Sequence, residues 1–286
     1  MSIQTPPRLF DLVGMHLLRE AEDCFNANGQ YREVLSMVQL DCIQEVQVSC
    51  TWNLSTLATF APFLGEISNL QRICFFPIHV SAFKKQEQDY LPVQITSQFL
   101  RLGHLQDLHL ESPSFLEGCL DQMLRAQTSV SLALSGVTMT DFSPELLQVL
   151  LQKVAATLQE LGLDVCGITD SQLEACLPAL SHCSQLRSFS LCGNFLSMAG
   201  IEKLLRHTIV LPCLRQEHYP APQETYRPRG VLLEARLAQL RAQLLEILRD
   251  LGHPRIICIS PSPCSCCGED LCHHMEPIVY SCPVPA

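Results

Sequence analysis

The sequence predicts an α/β fold in which one strand-and-helix unit repeats along the chain. An apolar Leu-x-x-Leu-x-Leu pattern, or a close variant, returns seven times at spacings of 27, 35, 24, 29, 28 and 28 residues, and helical patterns lie between the copies. The seven copies begin at Ile43, Leu70, Leu105, Ser129, Leu158, Leu186 and Leu214. This period is typical of leucine-rich repeats, whose units stack because none can bury its apolar face alone. We therefore expect a leucine-rich-repeat solenoid, a ribonuclease-inhibitor-like horseshoe with a parallel concave sheet and convex helices.

Each copy of the pattern predicts a short strand. Its two apolar residues at alternate positions turn one strand face inward, and the first residue fills the corner before the strand. The copies that begin at Leu158 and Leu186 also carry Cys166 and Asn194 where the chain leaves the strand. We expect these two side chains to be buried there and to bond the backbone of their neighbours.

Helix-start signals lie between the strands. Ser143, Pro144 and Glu145 give an N-cap, a first-turn proline and an acid that matches the helix dipole. Ser171 with Glu174 has the spacing of a capping box before the next apolar stripe. Each predicted strand is therefore followed by a predicted helix.

The segments at either end differ from the repeats. Residues 1–40 carry no repeat and predict a helical N-terminal segment, and the leucine-rich repeats span residues 41–220. Residues 221–260 predict a helix and a strand that cap the last repeat, and residues 261–286 form a tail rich in Cys and Pro. The stripe of the capping helix is Leu233, Leu237, Leu240, Leu244, Ile247 and Leu251, with Gly252 at its end. We count the whole as one domain.

Composition argues against several classes of function. The net charge of −10 gives no electrostatic reason to bind nucleic acid or an anionic membrane, and the sequence has no 18-residue apolar run. The first residues lack the pattern of a secretory signal, so we expect sixteen reduced cysteines in a cytoplasmic protein that is also found in the nucleus. Six fall on or beside repeat core positions and are interpreted as packing residues: Cys42, Cys74, Cys166, Cys176, Cys183 and Cys192.

The tail offers the one candidate metal site of the sequence. Cys264 and Cys267 have the spacing at which two thiolates reach one zinc ion, and Cys272 with Cys282 would complete a tetrahedral set. His273 or His274 could replace Cys272 in that set. The alternative is a reduced, partly disordered tail that binds no metal, and no other cofactor is expected.

Two further motifs have a plain structural explanation. The Leu-x-x-Leu-Leu run from Leu147 to Leu151 matches a helix that docks on nuclear receptors, but a repeat helix must bury these same leucines. His182, His207 and the acidic residues of the repeats form no catalytic spacing. We therefore expect a binding protein and not an enzyme.

Several runs of specific residues resemble one family. These runs are Met37–Asp41, Thr51–Leu54, Thr96–Leu100, Leu134–Val137, Cys166–Asp170, Leu180–Leu186, Tyr219–Pro222 and the terminal Cys-x-x-Cys-Gly. They resemble the PRAME family, the preferentially expressed antigens of melanoma, over roughly residues 30–286. The resemblance implies a substrate-recognition adaptor of a cullin-RING ubiquitin ligase that is recruited through elongin. It also implies roles in repression of transcription, including retinoic-acid signalling, in restraint of differentiation and apoptosis, and in continued proliferation.

The N-terminal region departs from the family pattern. A long segment that family members carry is absent after residue 20, and a repeat is missing near Ala126, so we expect a shortened member or splice form. Leu17, Ala21 and Phe25 have the spacing of an elongin-binding box on one helix, although His16 replaces the usual small or hydroxyl residue. A plain amphipathic helix is the alternative explanation of that spacing.

The leading hypothesis is a ligase adaptor whose concave face binds target proteins and whose N-terminal region attaches elongin and cullin. The alternative is a transcriptional co-repressor, or a protein that masks its partner, without ubiquitin transfer.

Overall fold

A computed structural model describes the second half of the chain almost continuously and the first half in part. The described residues are 40, 43–48, 61–75, 96–99, 101–102, 105–111, 122, 129–137, 144–228, 230–252, 255–261 and 278–281. The chain forms two compact units, Met1–Gln127 and Thr128–Ala286, where the sequence predicted one domain. The division falls in the shortest interval of the repeat pattern, the 24 residues between Leu105 and Ser129.

The described part of the first unit includes three parallel strands in chain order. They are β1 (Glu45–Val48), β2 (Arg72–Phe75) and β3 (Asp107–Glu111). Burial alternates along β2 and β3 as the sequence predicted, because side chains of a strand point to opposite faces of the sheet in turn. On the buried face Phe75 packs edge-on against Phe99, with ring centroids 5.8 Å apart.

Among its described residues, the second unit has six strands and four α-helices. The strands are β4 (Ser131–Ser135), β5 (Glu160–Asp164), β6 (Ser188–Ser190), β7 (Gln216–Pro220), β8 (Ile256–Ser260) and β9 (Ile278–Ser281). The helices are α1 (Pro144–Val154), α2 (Asp170–Leu180), α3 (Met198–Thr208) and α4 (Glu234–Leu251). From β4 to β9 each strand pairs in parallel with the next along the chain. The seven predicted repeats therefore all place a strand where the sequence predicted one.

The apolar residues of the repeats meet in one interior. Leu161 and Leu163 of β5 line a common interior space with Leu147 and Leu151 of α1 and Leu173 of α2. All five side chains are at most 5% exposed. The α/β class predicted from the alternating patterns is thus confirmed, with helices against one face of a parallel sheet. The curvature of a horseshoe remains a prediction.

The start of α2 differs from the prediction. The N-cap is Thr169 and not Ser171, and Gln172 completes the capping box in place of Glu174. The Gln172 Oε1 atom accepts the Thr169 N–H at 3.0 Å, which satisfies a backbone donor that the helix itself leaves free. Glu174 instead forms an ion pair with Lys203 of α3 at 2.7 Å.

The C-terminal elements continue the parallel order past residue 220, where the sequence predicted that the repeats end. Helix α4 buries Leu237, Leu240, Leu244 and Leu248, so Leu248 takes the place predicted for Ile247. It ends, as predicted, at Gly252, whose φ of 69° is the left-handed conformation that glycine adopts without strain. Strand β9 lies in the segment predicted to be a tail. Among the described residues, no helix combines the length and apolarity needed to span a membrane.

Candidate protein-binding face

The strands β4, β5 and β6 expose the face that lies opposite the helices. Burial alternates along them, so one set of side chains is buried against the helices and the other set is half-buried or exposed. We call this second set the open strand face. Its residues are Ser131, Ala133, Ser135, Glu160, Gly162, Asp164, Ser188 and Ser190. Six of the eight are small, so the strand backbone lies near the surface and long side chains of a partner could reach it.

Two carboxylates are fixed on the open strand face by the strands beside them. The Ser131 hydroxyl donates to the Glu160 Oε2 atom at 3.0 Å. The Ser190 hydroxyl and the Cys192 N–H donate to the Asp164 Oδ1 atom at 2.6 and 2.7 Å. These bonds join neighbouring repeats, and they hold two negative charges in defined positions on a surface of small side chains.

The same face closes toward the C-terminal end of the unit. On β7 the Nε2 atom of His218 is buried without a hydrogen-bond partner, and this burial lowers the pKa of the ring. On β8 the corresponding side chains are buried: Ile256 is 6% exposed, Cys258 is 0% exposed and Ser260 is 2% exposed. A partner therefore has access to this face at β4 to β6 and not at β8.

The first unit presents a different strand face. Arg72 on β2 donates from its Nε atom to Asp107 on β3 at 2.9 Å and pairs with Glu45 on β1 at 3.4 Å. The hydrogen bond to Asp107 raises the pKa of the guanidinium. Cys74 lies two residues further along β2 on this face and is half-buried, beside the core residues Ile73 and Phe75. The side chains here are long and paired, in contrast to the small side chains of the open strand face.

The ends of β5 and β6 are joined by the residues that the sequence singled out. The Asn194 side-chain oxygen accepts the N–H groups of Cys166 and Ile168 at 3.0 and 2.9 Å. Its Nδ2 atom donates to the carbonyls of Leu163 and Leu191 at 2.7 and 2.8 Å. The Cys166 thiol is buried in the corresponding position and bonds the Leu134 carbonyl. The predicted role of this position is confirmed for both residues.

Four cysteines of the second unit are packing residues, as predicted. Cys166, Cys176, Cys183 and Cys192 are each at most 3% exposed. Burial raises the pKa of Cys166 to about 12 and those of Cys176 and Cys183 to about 11, so these thiols stay protonated at neutral pH.

The predicted zinc site lies outside the described residues. Its four ligands, Cys264, Cys267, Cys272 and Cys282, and the alternatives His273 and His274 all fall there, as do Cys42 and the N-terminal spacing of Leu17, Ala21 and Phe25. Within the described part of the chain no group of three or more His, Cys, Asp or Glu residues is arranged to hold a metal ion. The zinc site remains a prediction.

The Leu-x-x-Leu-Leu run of α1 has the structural role that was preferred for it. Leu147, Leu150 and Leu151 are 1–3% exposed, so a receptor groove could reach them only if the helix left the core. His182, two residues after α2, bonds the Pro178 carbonyl at 2.7 Å, and His207 of α3 bonds the Lys203 carbonyl at 2.8 Å. Neither histidine contributes to the open strand face.

A buried ion pair lies behind β7, and the sequence reasoning missed it. Glu217 occupies the core position of the seventh repeat and is 0% exposed, and its carboxylate pairs with the buried Arg255 at 3.1 Å. The Tyr219 hydroxyl also donates to Glu217, and Arg255 donates to the Thr208 hydroxyl and carbonyl at 2.9 and 2.6 Å. Burial raises the pKa of Glu217, while Arg255 and the Tyr219 hydroxyl act against that rise. The signal for this cluster was an acidic residue at an apolar position of the repeat.

Comparison with known proteins identifies the family of the chain. The family model of the PRAME C-terminal domain matches residues 11–130 and 126–282, in two segments that meet where the two compact units meet. Human PRAME family member 12 is 48% identical over 275 residues, an alignment that covers 86% of this chain and 57% of that relative. Human PRAME family members 8 and 7 are 47% and 46% identical, again over 86% of this chain and 58% of each relative.

A solved structure of the tropomodulin C-terminal domain from Caenorhabditis elegans aligns with 46% of this chain and 74% of its own length, at 17% identity and a TM-score of 0.33. The chain spans 57–58% of the length of the three human relatives. Because the family model matches nearly the whole chain and the relatives share almost half of its aligned residues, the chain belongs to the PRAME family.

Proposed function

We propose that this chain recognises target proteins for a cullin-RING ubiquitin ligase and performs no catalysis itself. The observation that carries the proposal is the open strand face, a surface of small and acidic side chains on a rigid parallel sheet. The opposite sides of the same strands are buried in the core, so mutation or evolution could change the open face without unfolding the repeats.

The geometry favours recognition of a protein over binding of a small molecule. The open strand face extends across three neighbouring strands, and the hydrogen bonds between repeats hold its carboxylates in place. Protein interfaces are broad and shallow, while small ligands bind in deep, mostly apolar pockets. An exposed sheet face of this kind suits a protein partner.

Attachment to elongin and cullin is the part of the proposal that rests on family resemblance. We place it in the N-terminal region, where Leu17, Ala21 and Phe25 have the spacing of an elongin-binding box. The family roles in repression of transcription, in restraint of differentiation and apoptosis, and in proliferation would follow from the targets that the chain selects. We propose action in the cytoplasm and the nucleus, without nucleic-acid or membrane partners.

Co-purification tests the adaptor role directly. An epitope-tagged chain and a tagged human relative are expressed in the same cell line, and elongin and cullin recovered with each are measured by quantitative mass spectrometry. The proposal expects both proteins to recover the ligase subunits, and Leu17→Asp to lose them. A chain that recovers targets but neither subunit, while its relative recovers both, would support the alternative function, a co-repressor or masking protein without ubiquitin transfer.

A further inference from the structure

The edge where β5 and β6 end adds two exposed apolar side chains to the open strand face. Val165, directly after β5, is 41% exposed, and Phe195, in the loop after β6, is 59% exposed. In most soluble proteins a phenylalanine is largely buried, so an exposed ring beside a candidate interface is informative.

The backbone under these two side chains is held in place by the neighbouring repeats. The Val165 N–H donates to the Cys192 carbonyl at 2.8 Å, and the Phe195 N–H donates to the Ile168 carbonyl at 2.9 Å. The Gln223 side chain donates to the Phe195 carbonyl at 2.6 Å. A partner that covers Phe195 would therefore lose little free energy in ordering the loop beneath it.

The charges around this edge share one sign. Asp170 at the start of α2 accepts the Ser197 N–H at 3.0 Å, and Glu224 accepts the Met198 N–H at 3.1 Å. With Glu160 and Asp164 they make four carboxylates, and the open face and the loops after β5 and β6 contain no Lys or Arg. Arg227, which follows Glu224 by three residues, lies in the loop after β7. Arg187 and Arg215 directly precede β6 and β7, at the opposite end of the strands. The charges on the open strand face itself and at the edge after β5 and β6 are therefore negative.

The inference drawn from these observations rests on the proposed function and deepens it by specifying the target. We propose that the open strand face and the edge beside it bind a segment of the target protein that carries several Lys or Arg side chains around one apolar anchor. The long cationic side chains reach over the small residues of β4 to β6 toward Glu160 and Asp164. The apolar anchor covers Phe195 and Val165, which supplies affinity that charge alone would not.

Labelled synthetic peptides test this occupant. Three peptides of about 15 residues, a length that spans several strands, are compared by fluorescence anisotropy: one of Lys and Leu, one of Glu and Leu, and one of Lys and Ser. The full chain should bind the Lys–Leu peptide at least about tenfold more tightly than either of the others. Equal affinity for the Lys–Leu and Glu–Leu peptides, or no binding of any peptide, would overturn the proposal.

Matched variants separate binding at this face from general attraction to an acidic protein. Ser188→Arg adds one positive charge to the open strand face, and Glu246→Gln removes one negative charge from the exposed side of α4, so the two change the net charge by the same amount. Phe195→Ser removes the exposed ring, and Val210→Ser removes a side chain that is 64% exposed after α3.

The two face variants should each weaken binding of the Lys–Leu peptide by about tenfold, and the two controls by less than about twofold. Circular dichroism checks that all four fold. Equal losses for Ser188→Arg and Glu246→Gln, with no loss for Phe195→Ser, would show that the peptide responds to net charge only and would overturn the proposal. Recovery of elongin and cullin by Ser188→Arg, measured in parallel, shows whether the adaptor role stands independently of this outcome.

Discussion

The central repeats at β5 and β6 and the terminal strands at β7 and β8 place different chemistry in the same row of the sheet. Paired strand positions run from Leu161 to Phe189, then to Glu217 and on to Ile257. Leu161, Phe189 and Ile257 are apolar. Glu217 carries a carboxylate, which Arg255 neutralises from its position directly before β8. The opposite face differs as well, because it is open at β5 and β6 and buried at β8.

The comparison shows that one repeat pattern supports two roles. In the central repeats the interior is uniform and the outer face is free for a partner. At β8 both faces are buried, and at β7 the outer face is half-buried. The ion pair between Arg255 and Glu217, with the hydrogen bonds from Arg255 to Thr208, ties the start of β8 to β7 and α3, so this region closes the unit. Replacing a residue should therefore cost most where it breaks the interior of either region, and least on the open face.

The largest loss of stability is expected when a carboxylate, like that of Glu217 in the terminal strands, is placed at the equivalent core position of a central repeat. Leu161→Asp puts a carboxylate in the same row as Glu217 but with no arginine beside it, so the unit should lose about 5 kcal/mol or unfold. Chemical denaturation followed by circular dichroism measures the loss. Leu161→Met, which conserves volume, should cost less than about 1.5 kcal/mol. A stable Leu161→Asp variant would mean that the repeat register is assigned wrongly.

Removal of the arginine tests the terminal region in the opposite direction. Arg255→Met leaves the Glu217 carboxylate buried without its partner, and we expect a loss of about 3–5 kcal/mol. The double change Glu217→Leu with Arg255→Met should recover more than half of that loss, since it removes both charges. As a control, Arg206→Ala breaks an exposed pair with Glu202 and should cost at most about 0.5 kcal/mol. A double variant that loses as much stability as Arg255→Met alone would argue that the cost of Arg255→Met does not come from the unpaired Glu217 carboxylate.

A smaller effect separates the two residues that close the ends of the central strands. Asn194→Ala removes four hydrogen bonds to buried backbone groups and should cost about 3 kcal/mol. Cys166→Ala removes a weak thiol donor and a small volume, so about 1 kcal/mol is expected. Thermal unfolding measures the stability that each variant loses. Equal losses in the two variants would contradict the bonding role assigned to Asn194.

Much of this architecture could be predicted from the sequence because its signal is local. The period of the apolar residues located seven of the nine described strands, and the helix stripe and Gly252 located α4. The ion pair could not be found in this way, since Glu217 and Arg255 are 38 residues apart and only the packing of β8 on β7 brings them together. The open strand face was predicted as a surface, while its closure at β8 depends on tertiary contacts that no periodicity encodes.

The smallest expected effect is a pH dependence at the boundary between the two regions. Burial lowers the pKa of His218 in the folded state, so the unfolded chain binds more protons as the pH falls below about 6.5. The contribution of neutral His218 to stability is therefore complete above that pH and decreases below it. Compared with His218→Gln, the parent should lose up to about 1 kcal/mol more between pH 7.5 and about pH 5. Parallel stability curves for the two proteins would contradict this assignment.

The central claim is that targets bind where the sheet is open. It is tested most directly by quantitative mass spectrometry of proteins recovered in cells with the parent, with Ser188→Arg and with Glu246→Gln. The account predicts that Ser188→Arg recovers about tenfold less of the targets than the parent does, while Glu246→Gln recovers them in the parent's amounts. Both variants should recover equal amounts of elongin and cullin. Identical targets for all three proteins would contradict the claim and would place recognition on another surface of the chain.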